Sequence, residues 1–262
     1  SSDLETGDVG GAMAACSPVS ALGDPDEVPA TLILVPGRGV AVAQGFVDPT
    51  DLDQLRTVLA DPVVADAESV ISAVVADNDA ELQPVRQYGV VVDGSVASAD
   101  GSETQPVSVA LTDSDVAVQG VASVGDAVVE DSISAYTEAR AAGASLADAL
   151  VAGLEAGSLA GGDVDCGEQT ALFAHVSVAG PGESGLTPPK LLTVTVDEGD
   201  GQNPVSLMAE AHRQGRTGWV DAGLNTPLRI PRWIVLAGGV LLAVASVLVI
   251  RHGLGFRFPT TG

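Results

Sequence analysis

Apolar residues alternate with polar or small ones over residues 8–16 and 30–46, the period-two pattern of strands, and the turn Pro36-Gly37-Arg38-Gly39 breaks the second run. The spacing then becomes helical. Leu52, Leu55 and Leu59 recur behind Asp48 and Thr50, two residues able to cap a helix, and Val70, Ile71, Val74 and Val75 do the same over residues 66–76. Strand patterning returns at 88–92 and 107–121, the latter split by the turn Thr112-Asp113-Ser114-Asp115. Helices over 126–141 and 145–156, strands over 170–178 and 191–196, and a helix over 204–214 complete the series. Two strand groups separated by helix pairs predict an α/β (α+β) layered sandwich.

One stretch follows neither period. Residues 233–250, WIVLAGGVLLAVASVLVI, carry no charge, and at about 1.5 Å per residue they reach roughly 27 Å, close to the hydrocarbon thickness of a bilayer. Pro231, Arg232 and Trp233 flank one end and Arg251, His252, Phe256, Arg257 and Phe258 the other, as residues of the two interfaces do. The chain therefore divides into a domain over 1–215, a linker over 216–229, a transmembrane helix over 230–251 and a short tail over 252–262. A buried core helix is the alternative, and the bracketing bases argue against it. Gly238, Gly239 and Ala243 put small side chains on one face, which lets a second membrane helix approach; their general abundance in membrane helices is the plainer reading. The expected partners are thus the lipid bilayer and other membrane subunits.

Charge sharpens the division. The chain has 11 Lys and Arg against 35 Asp and Glu, a net of −24. No acid follows Asp221, while Arg229, Arg232, Arg251 and Arg257 all lie in the tail, so the rest holds 7 bases against all 35 acids, a net of −28. Such a domain has no cation cluster for a phosphate backbone, and nucleic-acid binding is excluded. The bases tie across the apolar run and leave its orientation open. With the chain starting at Ser1, the sequence reads as a mature form with its acidic domain outside the cytoplasm; a tail-anchored cytoplasmic protein is the alternative.

Candidate chemistry is sparse. His175, His212 and His252 stand far apart, none at zinc-ligand spacing, and His175 alternates with Phe173 and Ser177 in a strand, as a satisfied, partly buried histidine does. Asp197, Glu198, Asp200 and Asn203 form an oxygen-rich turn that misses the spacing of a calcium loop and reads as a solvated loop. Gly161 and Gly162 lead into Asp163 and Asp165, which would repel a phosphate. No metal or cofactor is expected. Cys16 and Cys166 are the only cysteines; in an oxidising compartment they can pair, and two buried free thiols are the alternative.

Five segments in order carry a resemblance: LETGDVG from Leu4, GVAVAQ from Gly39, RQYGVV from Arg86, AVQG from Ala117 and LEAGSLAGGD from Leu154. Together, over residues 1–214, they resemble the domain-of-unknown-function family 1028, whose members are similar to N-terminal nucleophile (Ntn) hydrolases. The resemblance implies a four-layer αββα sandwich, and a secreted subset carries cysteines at positions like those of Cys16 and Cys166. Ntn hydrolases attack amides with the hydroxyl or thiol of the first residue, whose own amine is the base. Ser1 is therefore the nucleophile candidate, although the family's first strand begins several residues before its ETG turn. Gln44, Arg86 and Gln119 are the candidates to line a pocket, or else they bond backbone at strand ends. Val121 stands where the family often has Asn, and Asp48 where an Asn is expected, removing amide donors from such a pocket. The expectation is a membrane-anchored, non-catalytic extracytoplasmic domain acting as an accessory or assembly subunit of a membrane or envelope complex; an envelope amidohydrolase with an N-terminal nucleophile is the alternative.

Overall fold

In the computed structural model the described residues are 2–3, 6–16, 24, 26–45, 49–77, 83–101, 109–120 and 122–222. They form a mixed α/β fold. Five strands make one sheet: β1 (Ser2–Asp3), β2 (Asp8–Ala15), β9 (Phe173–Ala179), β10 (Lys190–Thr195) and β11 (Gly218–Asp221), in that spatial order. A second sheet runs β3 (Leu32–Val35), β4 (Gly39–Gly45), β5 (Arg86–Val92), β6 (Ser95–Asp100), all antiparallel. β7 (Val109–Asp113) and β8 (Val116–Gly120) form a separate hairpin. The helices are α1 (Pro49–Ala60), α2 (Ala67–Asp77), α3 (Ala127–Ala141), α4 (Leu146–Leu159) and α5 (Pro204–Arg213), with short 3-10 helices at Gln83–Val85 and Val164–Gln169.

Period-two alternation sorts the apolar side chains into layers. On one face of the second sheet, Ile33, Ala41, Tyr88 and Val90 meet Leu55 and Leu59 of α1 and Val70 and Val74 of α2. Their strand neighbours Leu32, Leu34, Val40 and Val91 turn the other way, onto Val9, Met13, Phe173 and Leu191 of the first sheet. Ala174, Val176, Leu192 and Val194 leave the first sheet on its far side, under Leu146 and Leu150 of α4 and Val205 and Met208 of α5. Strands buried on both faces follow, and every residue of β5 and of β9 is buried.

Local chemistry fixes the joints. Ser145 caps α4, its hydroxyl accepting the Asp148 N–H, while the hydroxyl proton goes to the Asp148 carboxylate at 2.6 Å. Asn203 caps α5 by accepting from Val205 and Ser206 N–H, with Pro204 at the first helical position. Arg38, in the β3–β4 turn, donates to the carbonyls of Leu59, Asp61 and Val64 at the end of α1 and pairs with Asp93 at 3.2 Å. Gly153 and Gly157 let α3 press against α4: a Cβ on Gly153 would stand 2.9 Å from the Ser132 carbonyl oxygen.

The predicted elements are present, with shifts at their ends. Besides the two-residue β1, two strands were not expected. β6 follows the turn Asp93-Gly94, both at positive φ (48° and 81°) as a two-residue hairpin requires. β11, inside the segment read as linker, adds parallel to β10 from Leu192↔Gly218 to Thr195↔Asp221. Cys16 and Cys166 are disulfide-bonded, with Cα atoms 5.4 Å apart across 150 positions of sequence. Contacts divide the chain into Ser1–Leu224 and Asn225–Gly262. Among the described residues no helix is long and apolar enough to cross a membrane. The apolar run over 233–250, with Gly238, Gly239 and Ala243, lies outside the described residues, as do Ser1, Asp48 and Val121.

Candidate functional site

A cavity of about 190 Å³ opens where β2, β8, α3 and α4 face one another above β4 and β5. Its walls mix glycine and alanine with larger side chains such as Leu32, Tyr136 and Leu150. Gly89 is where β5 passes under β8: a Cβ there would lie 3.1 Å from the Gln119 amide carbon and 3.2 Å from the Ala117 methyl. Gln44, from the end of β4, and Gln119, from β8, both line the cavity. Both amide atoms of Gln119 are buried without a hydrogen-bond partner among the described residues.

One end of the cavity is polar. There Asp163 stands half-buried; its Oδ1 accepts the Asp165 N–H at 2.9 Å and its Oδ2 the Cys16 N–H at 3.3 Å. Burial holds this carboxyl above the ordinary carboxylate range, against the lowering pull of those two N–H groups. Beside it, Ser158 Oγ and Thr170 Oγ1 are 2.8 Å apart, and the Asn203 amide donates to both at 2.9 and 3.0 Å. Thr170 sits in the left-handed region at φ 63°. The disulfide joins the end of β2 to the 3-10 turn that follows Asp163, so two distant chain segments are locked at this end.

The model of a family described only as a family of unknown function, DUF1028, matches residues 2–206. The chain belongs to this family. No curated protein matches it. In fold the DUF1028 chain is similar to the crystal structure of protein SPO2555 from Silicibacter pomeroyi, also of DUF1028, at 20% identity and a TM-score of 0.61, over 83% of this chain and 87% of that one.

In this DUF1028 chain the three pocket candidates do not converge. Arg86 does not line the cavity; it is 1% exposed and pairs at 2.7 Å with Asp51, 4% exposed, in the first turn of α1. Its charge ties β5 to that helix. His175 is wholly buried rather than partly so. Its Nδ1 shares a 2.9 Å hydrogen bond with Thr193 Oγ1, its ring stacks on Phe173, and its Nε2 has no partner among the described residues. Desolvation lowers its pKa to about 3, so the ring is neutral. The turn over 197–203 is organised from inside: Gln169 Nε2 donates to Asp197 O, Asp200 Oδ1 and Gln202 O at 3.0 to 3.3 Å, and its Oε1 accepts the Gly199 N–H. An amide nitrogen thus stands where those oxygens converge. Among the described residues no group of three His, Cys, Asp or Glu is placed to hold a metal ion.

Sequence reasoning missed Asp163, Ser158 and Thr170 as cavity groups, and Asn203 as the amide that holds the two hydroxyls. Asp163 and Ser158 lie in the resembling segment LEAGSLAGGD, the one available signal. Thr170 and Asn203 come from other elements and meet them only through the fold.

Proposed function

We infer that this chain is a membrane-anchored, non-catalytic extracytoplasmic domain that serves as an accessory or assembly subunit of a membrane or envelope complex. Helices packed on the outer faces of two stacked sheets support reading the fold as an αββα sandwich of the Ntn-hydrolase-like kind. The observation that carries the reading is how the cavity's polar end spends its groups. Ser158, Thr170 and Asn203 bond one another, Asn203 also caps α5, and Asp163 accepts two backbone N–H groups. Hydroxyls engaged in this way hold elements together; a nucleophile would need an adjacent base free to take its proton. The apolar run over 233–250 supports the anchor, and the acidity of the remainder supports a location in water beyond the bilayer.

Gentle solubilisation of native membranes, followed by a native gel and mass spectrometry of whatever co-migrates, tests the reading. A fixed set of partner subunits is expected, and Gly239→Leu is expected to loosen them by closing the small face of the anchor. A lone monomer in detergent would contradict it.

A further inference from the structure

The polar end of the cavity holds one hydroxyl proton more than it has acceptors for. The Asn203 amide donates to Ser158 Oγ and Thr170 Oγ1, at 2.9 and 3.0 Å, and the two hydroxyls stand 2.8 Å apart. They own two protons, and the bond between them uses one. The other has no acceptor among the described residues, although Ser158 is only 9% exposed and both residues line the cavity. The opposite need stands next to it. Asp163 lines the same end, and its N–H donates to the Thr170 carbonyl at 3.0 Å, so the carboxyl and the hydroxyl pair are neighbours. Its oxygens accept backbone N–H groups, no base pairs with it among the described residues, and the charge that acts on it, that of Asp165, repels. A half-buried carboxylate so placed is stabilised by any cation that reaches it. Elsewhere the wall is mainly apolar, with Ala12, Ala14, Val118, Val128 and Leu154.

We propose that the cavity binds a small aliphatic amine that carries an oxygen on the carbon next to the one bearing nitrogen. The ammonium donates to Asp163, and the oxygen accepts the spare hydroxyl proton of the Ser158–Thr170 pair. Either group alone leaves one of the two protein groups unsatisfied, which is costly away from water. The net −28 carried ahead of the basic tail draws a cation toward the domain and disfavours an anionic ligand. Volume sets the size of the apolar part. At about 190 Å³ the cavity exceeds the roughly 150 Å³ that holds a benzene ring in an apolar protein interior, so a ligand of about eight non-hydrogen atoms fits. A branched chain of four or so carbons then lies against the apolar wall. The ligand is bound and not transformed, and the inference stands apart from the membrane anchor.

The test uses the full chain in mild detergent with its methionine methyl groups isotope-labelled for NMR. The sequence holds 2 methionines: Met13 lines the cavity, and Met208, in α5, does not. Titration with leucinol is expected to shift the Met13 methyl resonance and to leave that of Met208 in place. N-acetyl-leucinol, which lacks the ammonium, should bind roughly tenfold or more weakly. Isopentylamine, which keeps the amine and the branched chain but lacks the oxygen, should bind about fivefold more weakly. Asp163→Asn should erase the preference for the free amine. Because the three ligands are compared on the unaltered protein, the result stands even if the variant fails to fold. No Met13 shift at about 10 mM leucinol, a shift of Met208 in its place, or equal affinities of leucinol and either analogue would each overturn the proposal.

Discussion

His175 is buried neutral between two sheets, and that makes it a source of acid sensitivity. Its pKa is near 6.5 in the unfolded chain and about 3 in the fold. Between those values the unfolded state binds the extra proton, so stability falls as pH drops through about 6.5 and goes on falling toward about 3, by up to roughly 1.4 kcal/mol per pH unit. Chemical denaturation at stepped pH should show this slope, and His175→Gln should flatten it. Asp51 gives a second test. Asp51→Ala strands the Arg86 charge in the interior, and the expected cost is about 3 to 5 kcal/mol by urea denaturation. A loss below about 1 kcal/mol would mean that Arg86 finds enough compensation elsewhere.

Among the elements, α4 is the best defined by its ends. Ser145→Ala removes both the cap to the Asp148 N–H and the hydroxyl that, more than His212, holds the Asp148 carboxyl below its usual range. The expected loss is about 1 kcal/mol in thermal unfolding. Elements of this kind were legible because pattern and punctuation agree: Leu52, Leu55 and Leu59 at helical spacing, alternating apolar residues in β2 to β4. β6 escaped because Ser95-Val96-Ala97-Ser98-Ala99 has small residues on both faces, and only its leading turn Asp93-Gly94 marks it. β11 escaped because it is a short edge strand whose pairing with β10 is parallel and distant in sequence. Of the site, Gln44 and Gln119 were within reach because each ends a strand in a resembling segment. Arg86 has the same address but a different neighbour: the acid in the first turn of α1 captures it. The polar end escaped since α4, the Asp163 turn and the α5 cap meet only in three dimensions.

For the molecule as a whole, two long-range terms dominate. The disulfide closes a loop spanning 150 positions, and on chain-entropy grounds it stabilises the fold by roughly 4 to 5 kcal/mol, less any strain. Reduction, or Cys16→Ser with Cys166→Ser, should lower the melting temperature sharply and loosen the end of β2 beside Asp163. The −28 carried ahead of the basic tail works against the fold. Screening should relieve it, so the melting temperature should rise from low to molar salt; a flat response would show that the acids are too dispersed to repel effectively. The proposed role depends on the membrane tether. Alkaline carbonate extraction of native membranes tests it most directly: the chain should stay with the pelleted bilayer and leave it only in detergent, whereas release of the intact chain into the supernatant would contradict a membrane-anchored accessory subunit.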